Sequence, residues 1–260
     1  MAWKRGLRGF TLIELLVVIA VIGLLLAILV PALRKAKKQA QAVICRSHLH
    51  QWSLCFALYA DAHEGRFMPG IDEDWDTARY SWIYTLIPYY DNPAIRLCPA
   101  ANRTRSQGGQ LPWVAWDMNE SNPGELLFLK DPLYKIGSYG INWWVNDSDL
   151  AIGAGLDPNL KWRRVGQRNA SQIPVLADAG FMLARPRASD DPPPHDGFFS
   201  WAEGARGMDR VCTNRHDGGI HILFMDWSSR KVGLRDLWRQ PWHREYVPQE
   251  HEWPEWMQQL

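Results

Sequence analysis

The fold of this chain is decided by seven residues near its start, Arg8-Gly9-Phe10-Thr11-Leu12-Ile13-Glu14, and by the apolar run at residues 15–30 that follows. From Phe10 to position 30 the sequence holds 21 residues, of which Glu14 alone is charged. An α-helix of that length spans the roughly 30 Å hydrocarbon core of a bilayer. The h-region of a signal peptide is shorter, about 7–15 residues, and ends in a small-residue cleavage site, which residues 31–35 do not offer. A core helix this apolar on every face would need a larger soluble domain around it. The stretch therefore predicts a membrane-spanning helix.

Glu14 is a costly residue in such a helix. A carboxylate costs about 2.5–3.5 kcal/mol at the centre of a membrane helix and less towards its ends, so it indicates a function and a cationic partner. If the chain were cut between Gly9 and Phe10, the new α-amino group would lie within one helical turn of Glu14. Identical helices packed side by side could pair that amine with the Glu14 carboxylate of a staggered neighbour, which would fix their register.

This pattern closely resembles the class III signal of type IV pilins and type II secretion pseudopilins. The resemblance implies a leader peptide at residues 1–9, cleavage after Gly9, N-methylation of Phe10 and assembly into a helical filament. Glu14 and Pro31 fall where those proteins place their assembly glutamate and their helix-kinking proline. The implied partners are further copies of the chain, a prepilin peptidase/methyltransferase, membrane lipid before assembly, and the pilus or secretion assembly machinery of the inner membrane.

The orientation in the membrane follows from the resemblance and not from charge. Three basic residues precede the span and four follow it closely. The positive-inside rule therefore does not decide which end of the helix lies in the cytoplasm. The leader of prepilins lies on the cytoplasmic side. This implies one pass through the cytoplasmic membrane with the N-terminus inside, and then a periplasmic or cell-surface filament. The sequence leaves pilus and secretion pseudopilus both open.

Beyond Pro31 the helix is expected to continue to Glu64, because residues 35–64 contain no Pro or Gly. Pro31 itself should kink or locally melt the helix. An amphipathic stripe continues through the second half, at Ala36, Ala40, Val43, Ile44, Trp52, Cys55, Phe56, Tyr59 and Ala62. Gly65 is the expected stop. The helix at residues 10–64 has 55 residues and a length of about 80 Å.

Residues 65–260 are expected to form a globular head with a small antiparallel sheet and long loops. Strands are predicted at residues 95–98, 138–145, 174–178 and 219–225, with a return strand at 231–234. The three prolines at 192–194 are expected to be extended and exposed. The predicted fold class is α+β, a pilin fold with one long N-terminal helix packed on the head.

One segment of the long helix and several head segments resemble pilin-like proteins with an H-x9-DG signature. These segments are residues 45–49, 97–99 and 138–142, and Arg215-His216 with Asp226 ten residues on. The chain departs from the signature at Trp227, where those proteins have Gly. Because Trp resists a positive φ, the turn after Asp226 is expected to be of another type, extended through Ser228 and Ser229.

His216 and Asp226 could be a metal pair, or a general base with its orienting carboxylate. A strand of ten residues would hold them more than about 30 Å apart, unless the segment bends, so a structural role is favoured. The sequence contains no G-x-S-x-G, H-E-x-x-H or P-loop motif, and no enzyme is predicted. The acidic residues at 72–76 begin like a calcium loop, but the required Gly and Glu are missing. No metal or cofactor is predicted, with calcium kept as a possibility that the sequence does not support.

Four cysteines allow a partial deduction about disulfides. On one continuous helix Cys45 and Cys55 lie about 15 Å apart, which is too far for a bond between them. Each must then pair with Cys98 or Cys212, or stay free. We expect disulfides Cys45–Cys98 and Cys55–Cys212, with four buried free thiols as the alternative.

Fifteen tryptophans are an excess for this length. They could build the core, sugar-stacking platforms or subunit contacts, and core packing is favoured over ligand binding. A net charge of +1 does not indicate nucleic acid. The tail at residues 237–260 could wrap the head or contact a neighbouring subunit. The function predicted first is a filament subunit. The alternatives are a membrane-tethered, tryptophan-rich carbohydrate-binding domain that does not polymerise and, last, a tethered hydrolase built around His216.

Overall fold

The computed structural model describes residues 11–69, 82–117, 136–148, 157–198, 205 and 207–260. The expected leader at 1–9, the cleavage site at Gly9 and Phe10, and the acidic segment at 72–76 lie outside the described residues. The chain divides into two units, Met1–Ala40 and Gln41–Leu260.

The helix predicted at residues 10–64 is observed as α1, Leu12–Ala62, with 51 residues. It is long and apolar enough, by length and composition, to cross a membrane. Residues on both sides of Pro31 remain α-helical, so the local melting considered for this proline does not occur.

The end of α1 confirms the predicted stop at Gly65. Glu64 and Gly65 both take positive φ angles, 57° and 76°. The Gly65 N–H donates to the carbonyl of Ala60 at 2.7 Å, which closes the last turn in the manner of a Schellman motif.

Within the second unit, one face of α1 is buried in the head. The buried side chains are Cys45, Leu49, Trp52, Ser53, Cys55, Phe56, Tyr59 and Ala60. The predicted stripe is confirmed from Trp52 to Tyr59 and is wrong on either side, since Ala62 after it is exposed. Val43 and Ile44 are 56% and 45% exposed, and Cys45 and Leu49 occupy the buried face in their place.

In the described part of the head we observe seven short strands. They are β1 Trp116–Asp117, β2 Ile136–Gly137, β3 Tyr139–Asn142, β4 Pro174–Asp178, β5 Leu183–Ala184, β6 Gly219–Phe224 and β7 Ser229–Gly233. β1 and β2 form a two-stranded ribbon, and the others form one sheet in the order β5-β3-β4-β6-β7. All pairs are antiparallel except β3 with β5, which is parallel, so the sheet is mixed and not purely antiparallel as predicted. The α+β class is confirmed, with a long N-terminal helix followed by a sheet and loops as in the predicted pilin fold. Two short helices complete the named elements, α2 (Trp82–Thr85) and α3 (Glu255–Gln258).

The strand predicted at 174–178 is observed with those bounds, and the one predicted at 95–98 is wrong. The latter region is a 3₁₀ helix, Pro93–Arg96. Proline fixes φ for the first helical position, and the Asn92 side chain accepts from the Ala94 N–H at 3.0 Å. The strand predicted at 138–145 ends at Asn142, and the return strand begins earlier than predicted, at Ser229.

The turn between β6 and β7 corrects the prediction made for Trp227. Its φ is +68°, so it adopts the left-handed conformation that it was expected to avoid. The Trp227 N–H donates to the Phe224 carbonyl at 2.9 Å, and the Phe224 N–H donates to the Ser228 carbonyl at 2.8 Å. This is the pattern of a tight turn followed by a left-handed bulge residue, a position usually held by glycine.

The C-terminal tail folds back on the head, which was one of the two arrangements expected from the sequence. His251 Nε2 lies 2.8 Å from the Ala188 carbonyl, and Trp256 Nε1 donates to the Pro193 carbonyl at 2.9 Å. Pro193 is therefore buried, contrary to the exposure predicted for this proline.

The tryptophans mainly build the core. Of the twelve in the described part of the chain, seven are buried and four are partly buried against the core. Trp113, at 50% exposed, is the one exposed tryptophan among them.

Candidate functional site

The N-terminal turn of α1 is a capping box built by Thr11 and Glu14. The Thr11 N–H and Oγ1 donate to Glu14 Oε2 at 2.9 and 2.8 Å, and the Glu14 N–H donates back to Thr11 Oγ1 at 3.2 Å. These reciprocal bonds satisfy backbone donors that a helix start otherwise leaves free. The Glu14 carboxylate thus has a local structural role in the single chain, in addition to the ion pair expected from the sequence.

The first part of α1 presents a continuous apolar surface. The large apolar side chains from Leu12 to Leu33 are all between 42% and 80% exposed. A surface of this kind in a soluble protein marks contact with a membrane or with other proteins.

A second concentration of chemical groups lies inside the head. Four buried side chains, Cys45, Cys98, Asp178 and His216, place one ligand atom each within 4.8 Å of one another. We call these four residues the buried cluster. His216 Nε2 lies 3.2 Å from Cys98 Sγ and 3.3 Å from Asp178 Oδ2. Cys45 Sγ lies 3.6 and 3.7 Å from the two Asp178 oxygens.

Four separate parts of the fold position the buried cluster. Cys45 comes from α1, Cys98 from the loop after the Pro93–Arg96 helix, Asp178 from the end of β4, and His216 from the bend before β6. The bend is fixed by the His216 N–H, which donates to the Gly219 carbonyl at 3.1 Å. The cluster therefore ties the second half of α1 to the sheet.

The signature-like segments identified from the sequence meet at this cluster. The Ser138 hydroxyl accepts from the Cys98 N–H, and Tyr139 donates its hydroxyl to Cys45 Sγ at 3.2 Å. Arg215 donates to the Ser138 carbonyl at 2.7 Å. The resemblance thus identified segments that pack together.

The charges of the buried cluster are strongly coupled. Burial alone would raise the pKa of Asp178, but His216 and Arg215 outweigh burial and lower it to about 2. Burial likewise opposes the charge on His216, and the Asp178 carboxylate raises the pKa of this imidazole to about 10. Burial and the hydrogen bond with Cys98 raise the pKa of Cys45 well above its usual range. The result is a buried imidazolium–carboxylate pair beside two sulfurs.

His216 and Asp226, a candidate pair by their spacing in the sequence, have different surroundings. Asp226 Oδ1 accepts from the Ser228 N–H and hydroxyl at 3.0 and 2.6 Å within the exposed hairpin turn. His216 instead pairs with Asp178, the last residue of the strand predicted at 174–178. No local spacing signals this partner, because the two residues lie on separate elements that meet only in the folded sheet.

The predicted disulfides are not formed, since Cys45, Cys55, Cys98 and Cys212 are all free and buried. Cys45 and Cys98 are close, as the prediction required, but both sulfurs are engaged with Asp178 and His216. The Cys55 thiol donates to the Tyr89 carbonyl at 3.4 Å, and Cys212 lies fully buried after a 3₁₀ turn at Met208–Arg210. The structure agrees with the alternative of four buried thiols.

Comparison with known proteins finds relatives of the N-terminal segment. Residues 4–30 match the family model of the prokaryotic N-terminal methylation motif. Over 46 residues the chain is 48% identical to the type IV wide pilus major component PilA4 of Thermus thermophilus, a match that covers 18% of this chain and 35% of that relative. No solved structure matches the chain.

These matches confirm the predicted resemblance to type IV pilins over the N-terminal segment. The pilin family is one of non-enzymatic structural subunits. The chain thus carries the N-terminal motif of a pilus or pseudopilus subunit.

Proposed function

We propose that this protein is a structural subunit of a type IV pilus-like or type II secretion pseudopilus filament. It is cleaved after Gly9, N-methylated at Phe10, held in the cytoplasmic membrane with its head outside, and then assembled by packing of its N-terminal helices. The observation that carries the proposal is the methylation motif at residues 4–30 leading into α1, whose apolar side chains are exposed from Leu12 to Leu33.

The apolar surface of α1 requires a covering environment, which lipid supplies before assembly. In a filament the same surface packs against neighbouring copies. Transfer from lipid to a helix bundle changes the apolar environment little, so van der Waals packing and specific polar pairs decide the arrangement.

Glu14 supplies the polar pair in this mechanism. In the single chain its carboxylate caps the Thr11 N–H. After cleavage, the α-amino group of Phe10 in an adjacent copy offers a cationic partner in an apolar surrounding, where an ion pair is stronger than in water. Exchange of a local cap for an intermolecular ion pair would set the stagger between subunits.

Two substitutions separate the capping role of Glu14 from its assembly role. Glu14→Gln keeps an acceptor for the Thr11 N–H but removes the negative charge, and Glu14→Ala removes both. We expect both variants to insert in the membrane and neither to appear in sheared fibres. Asp61→Asn, an exposed carboxylate further along α1, is the matched control and should assemble normally.

Processing is tested on the wild-type chain. Mass spectrometry of fibres sheared from the cell surface should give a subunit that begins at N-methylated Phe10. Cryo-electron microscopy of the same fibres should show the α1 helices packed at the centre, and the fibre length distinguishes a pilus from a short pseudopilus. A chain that retains Met1, or one cut beyond residue 30 without any fibre, would refute the proposal.

The carbohydrate-binding alternative receives little support from the head. A sugar platform needs exposed aromatic rings, and among the described tryptophans Trp113 alone is exposed. The hydrolase alternative also receives little support, because the His216 side chain is only 4% exposed and a substrate could not reach it.

A further inference from the structure

The buried cluster is a set of metal-ligating side chains that filament assembly does not use. We propose that Cys45, Cys98, Asp178 and His216 bind one zinc ion, in a structural site that ties the second half of α1 to the sheet. The proposal stands on the donor atoms, their distances and their burial, and it does not depend on the proposed filament function.

The distances between the donor atoms suit a single tetrahedral ion. Zinc lies about 2.3 Å from thiolate sulfur and about 2.0–2.2 Å from imidazole nitrogen or carboxylate oxygen, which places neighbouring ligand atoms about 3.3–3.8 Å apart. The observed separations are 3.7 Å from Cys45 Sγ to Asp178 Oδ2, 3.3 Å from His216 Nε2 to the same oxygen, and 3.2 Å from Cys98 Sγ to His216 Nε2. The remaining pairs of ligand atoms lie within 4.8 Å of one another.

The donor types select the metal. Two sulfurs, one imidazole nitrogen and one carboxylate oxygen suit zinc, whereas calcium and magnesium require oxygen ligands throughout. All four ligands come from the chain, and each of the four residues is at most 7% exposed. A complete, closed shell of protein ligands is typical of a structural zinc site and not of a catalytic one.

The surroundings of the cluster orient and balance the ligands. The Tyr139 hydroxyl donates to Cys45 Sγ at 3.2 Å, and the His221 N–H donates to Asp178 Oδ2 at 2.9 Å. Such outer hydrogen bonds hold metal ligands in place. Two thiolates and a carboxylate would leave one negative charge around Zn²⁺, and the buried guanidinium of Arg215 stands beside Asp178 to offset it.

A disulfide between Cys45 and Cys98 is the competing arrangement, because their sulfurs are neighbours. It would consume two of the four ligands, so zinc and this disulfide are mutually exclusive. Elemental analysis and peptide mapping of the cysteines distinguish the two arrangements. Both are made on the full-length protein in detergent, purified without added metal or chelator. We expect about one zinc per chain and no Cys45–Cys98 linked peptide.

Variants locate the site. Cys98→Ser and Asp178→Asn should lose most of the zinc, while Cys55→Ser should keep it. Cys55 is the matched control, since it is also a buried cysteine of α1 but lies outside the cluster. EDTA should lower the melting temperature of the wild type and of Cys55→Ser, and should leave that of Cys98→Ser unchanged.

Cobalt substitution provides a test that needs no variant. The wild-type protein, reduced and reconstituted with Co²⁺ alone, should show thiolate-to-cobalt charge-transfer bands and the intense visible bands of tetrahedral coordination. A Cys45–Cys98 disulfide in the isolated protein, absence of these bands, or zinc content in Cys98→Ser equal to that of the wild type would each overturn the proposal.

Discussion

Trp227 carries backbone strain at the tip of the β6–β7 hairpin. A left-handed conformation costs a residue other than glycine about 1–2 kcal/mol. Here the cost is offset by packing, since the indole ring stacks at 6.3 Å from the ring of Phe56 on α1. The side chain that strains the turn is also one that fastens the turn to the helix.

A pair of substitutions separates these two effects of Trp227. Trp227→Ala and Trp227→Gly both remove the ring, but Gly alone also relieves the positive φ. We expect both to be less stable than the wild type, with Trp227→Gly about 1 kcal/mol more stable than Trp227→Ala, or roughly 2–4 °C in Tm. Thermal unfolding by circular dichroism measures this order. Equal stability of the two variants would mean that the turn carries no strain.

Cys55 gives a pH-dependent prediction at the same scale. Burial raises the pKa of this thiol to about 11, because the thiolate is the form that loses hydration. Since the thiolate is the reactive species, alkylation at pH 8 should be on the order of 10²-fold slower than for an ordinary thiol of pKa about 8.5. The rate should still rise about tenfold per pH unit between pH 7 and 10, without a plateau.

Alkylation of Cys55 is followed by peptide-level mass spectrometry after timed exposure to iodoacetamide. The unfolded protein is the control, and its Cys55 should show a rate that levels off above the ordinary thiol pKa. A plateau at that same pH in the folded protein would contradict the prediction.

The residues that sequence reasoning missed are those whose partners lie far away in the chain. Cys45, Cys98 and His216 belong to motifs that the sequence singles out. Nothing near His216 in the sequence, however, points to Asp178. The disulfide prediction failed for a related reason. Sequence spacing excluded the pair Cys45–Cys55, yet it could not show that the sulfurs near the sheet would meet a carboxylate and an imidazole.

At the scale of elements, α1 was predictable because its signals are local and long. An uninterrupted apolar run, a following segment without Pro or Gly, and a terminal Gly65 gave its bounds to within two residues at each end. Short elements were less predictable. The segment Ile95-Arg96-Leu97-Cys98 has the composition of a buried strand, but Pro93 and the Asn92 cap favour a 3₁₀ turn instead.

That 3₁₀ turn is the element on which Trp52 of α1 docks. Trp52 is fully buried, and its Nε1 donates to the Ile95 carbonyl at 2.9 Å. Its ring also makes an edge contact with Trp82 at 5.1 Å. The helix is therefore held by a directional bond as well as by apolar area.

Trp52→Phe tests this docking. The change leaves the buried Ile95 carbonyl without its donor and opens a small void, so we expect a loss of about 2–4 kcal/mol in unfolding free energy. Trp113→Phe is the matched control, since Trp113 is exposed, and it should change stability by less than about 0.5 kcal/mol. Chemical denaturation monitored by far-UV circular dichroism reports both. Similar values for the two variants would show that the hydrogen bond to Ile95 contributes nothing.

At the scale of the whole head, the long loops and the tail are held by tryptophans and not by regular structure. Trp238 Nε1 donates to the Asp190 carbonyl at 2.7 Å, and Trp144 Nε1 to the Pro186 carbonyl at 2.9 Å. The excess of tryptophan in the sequence predicted a packed core. The particular loops that each indole fastens could not be predicted, because the bonds connect residues more than forty positions apart.

The tail closes this arrangement through Met257 in the short helix α3. The Met257 side chain is fully buried, and its carbonyl accepts two bonds from the Arg235 guanidinium. Met257→Ala leaves the backbone bonds in place and removes the buried side chain, so we expect a loss of about 2–5 kcal/mol. Because the tail is bonded to Ala188 and Pro193 of the head, the loss should appear as a lower Tm of the whole head, in one transition. Gln259→Ala, an exposed neighbour, is the control and should change stability by less than about 0.5 kcal/mol. Limited proteolysis distinguishes the alternative: if the tail were an independent flap, Met257→Ala would speed cleavage of the tail and leave the Tm of the head unchanged.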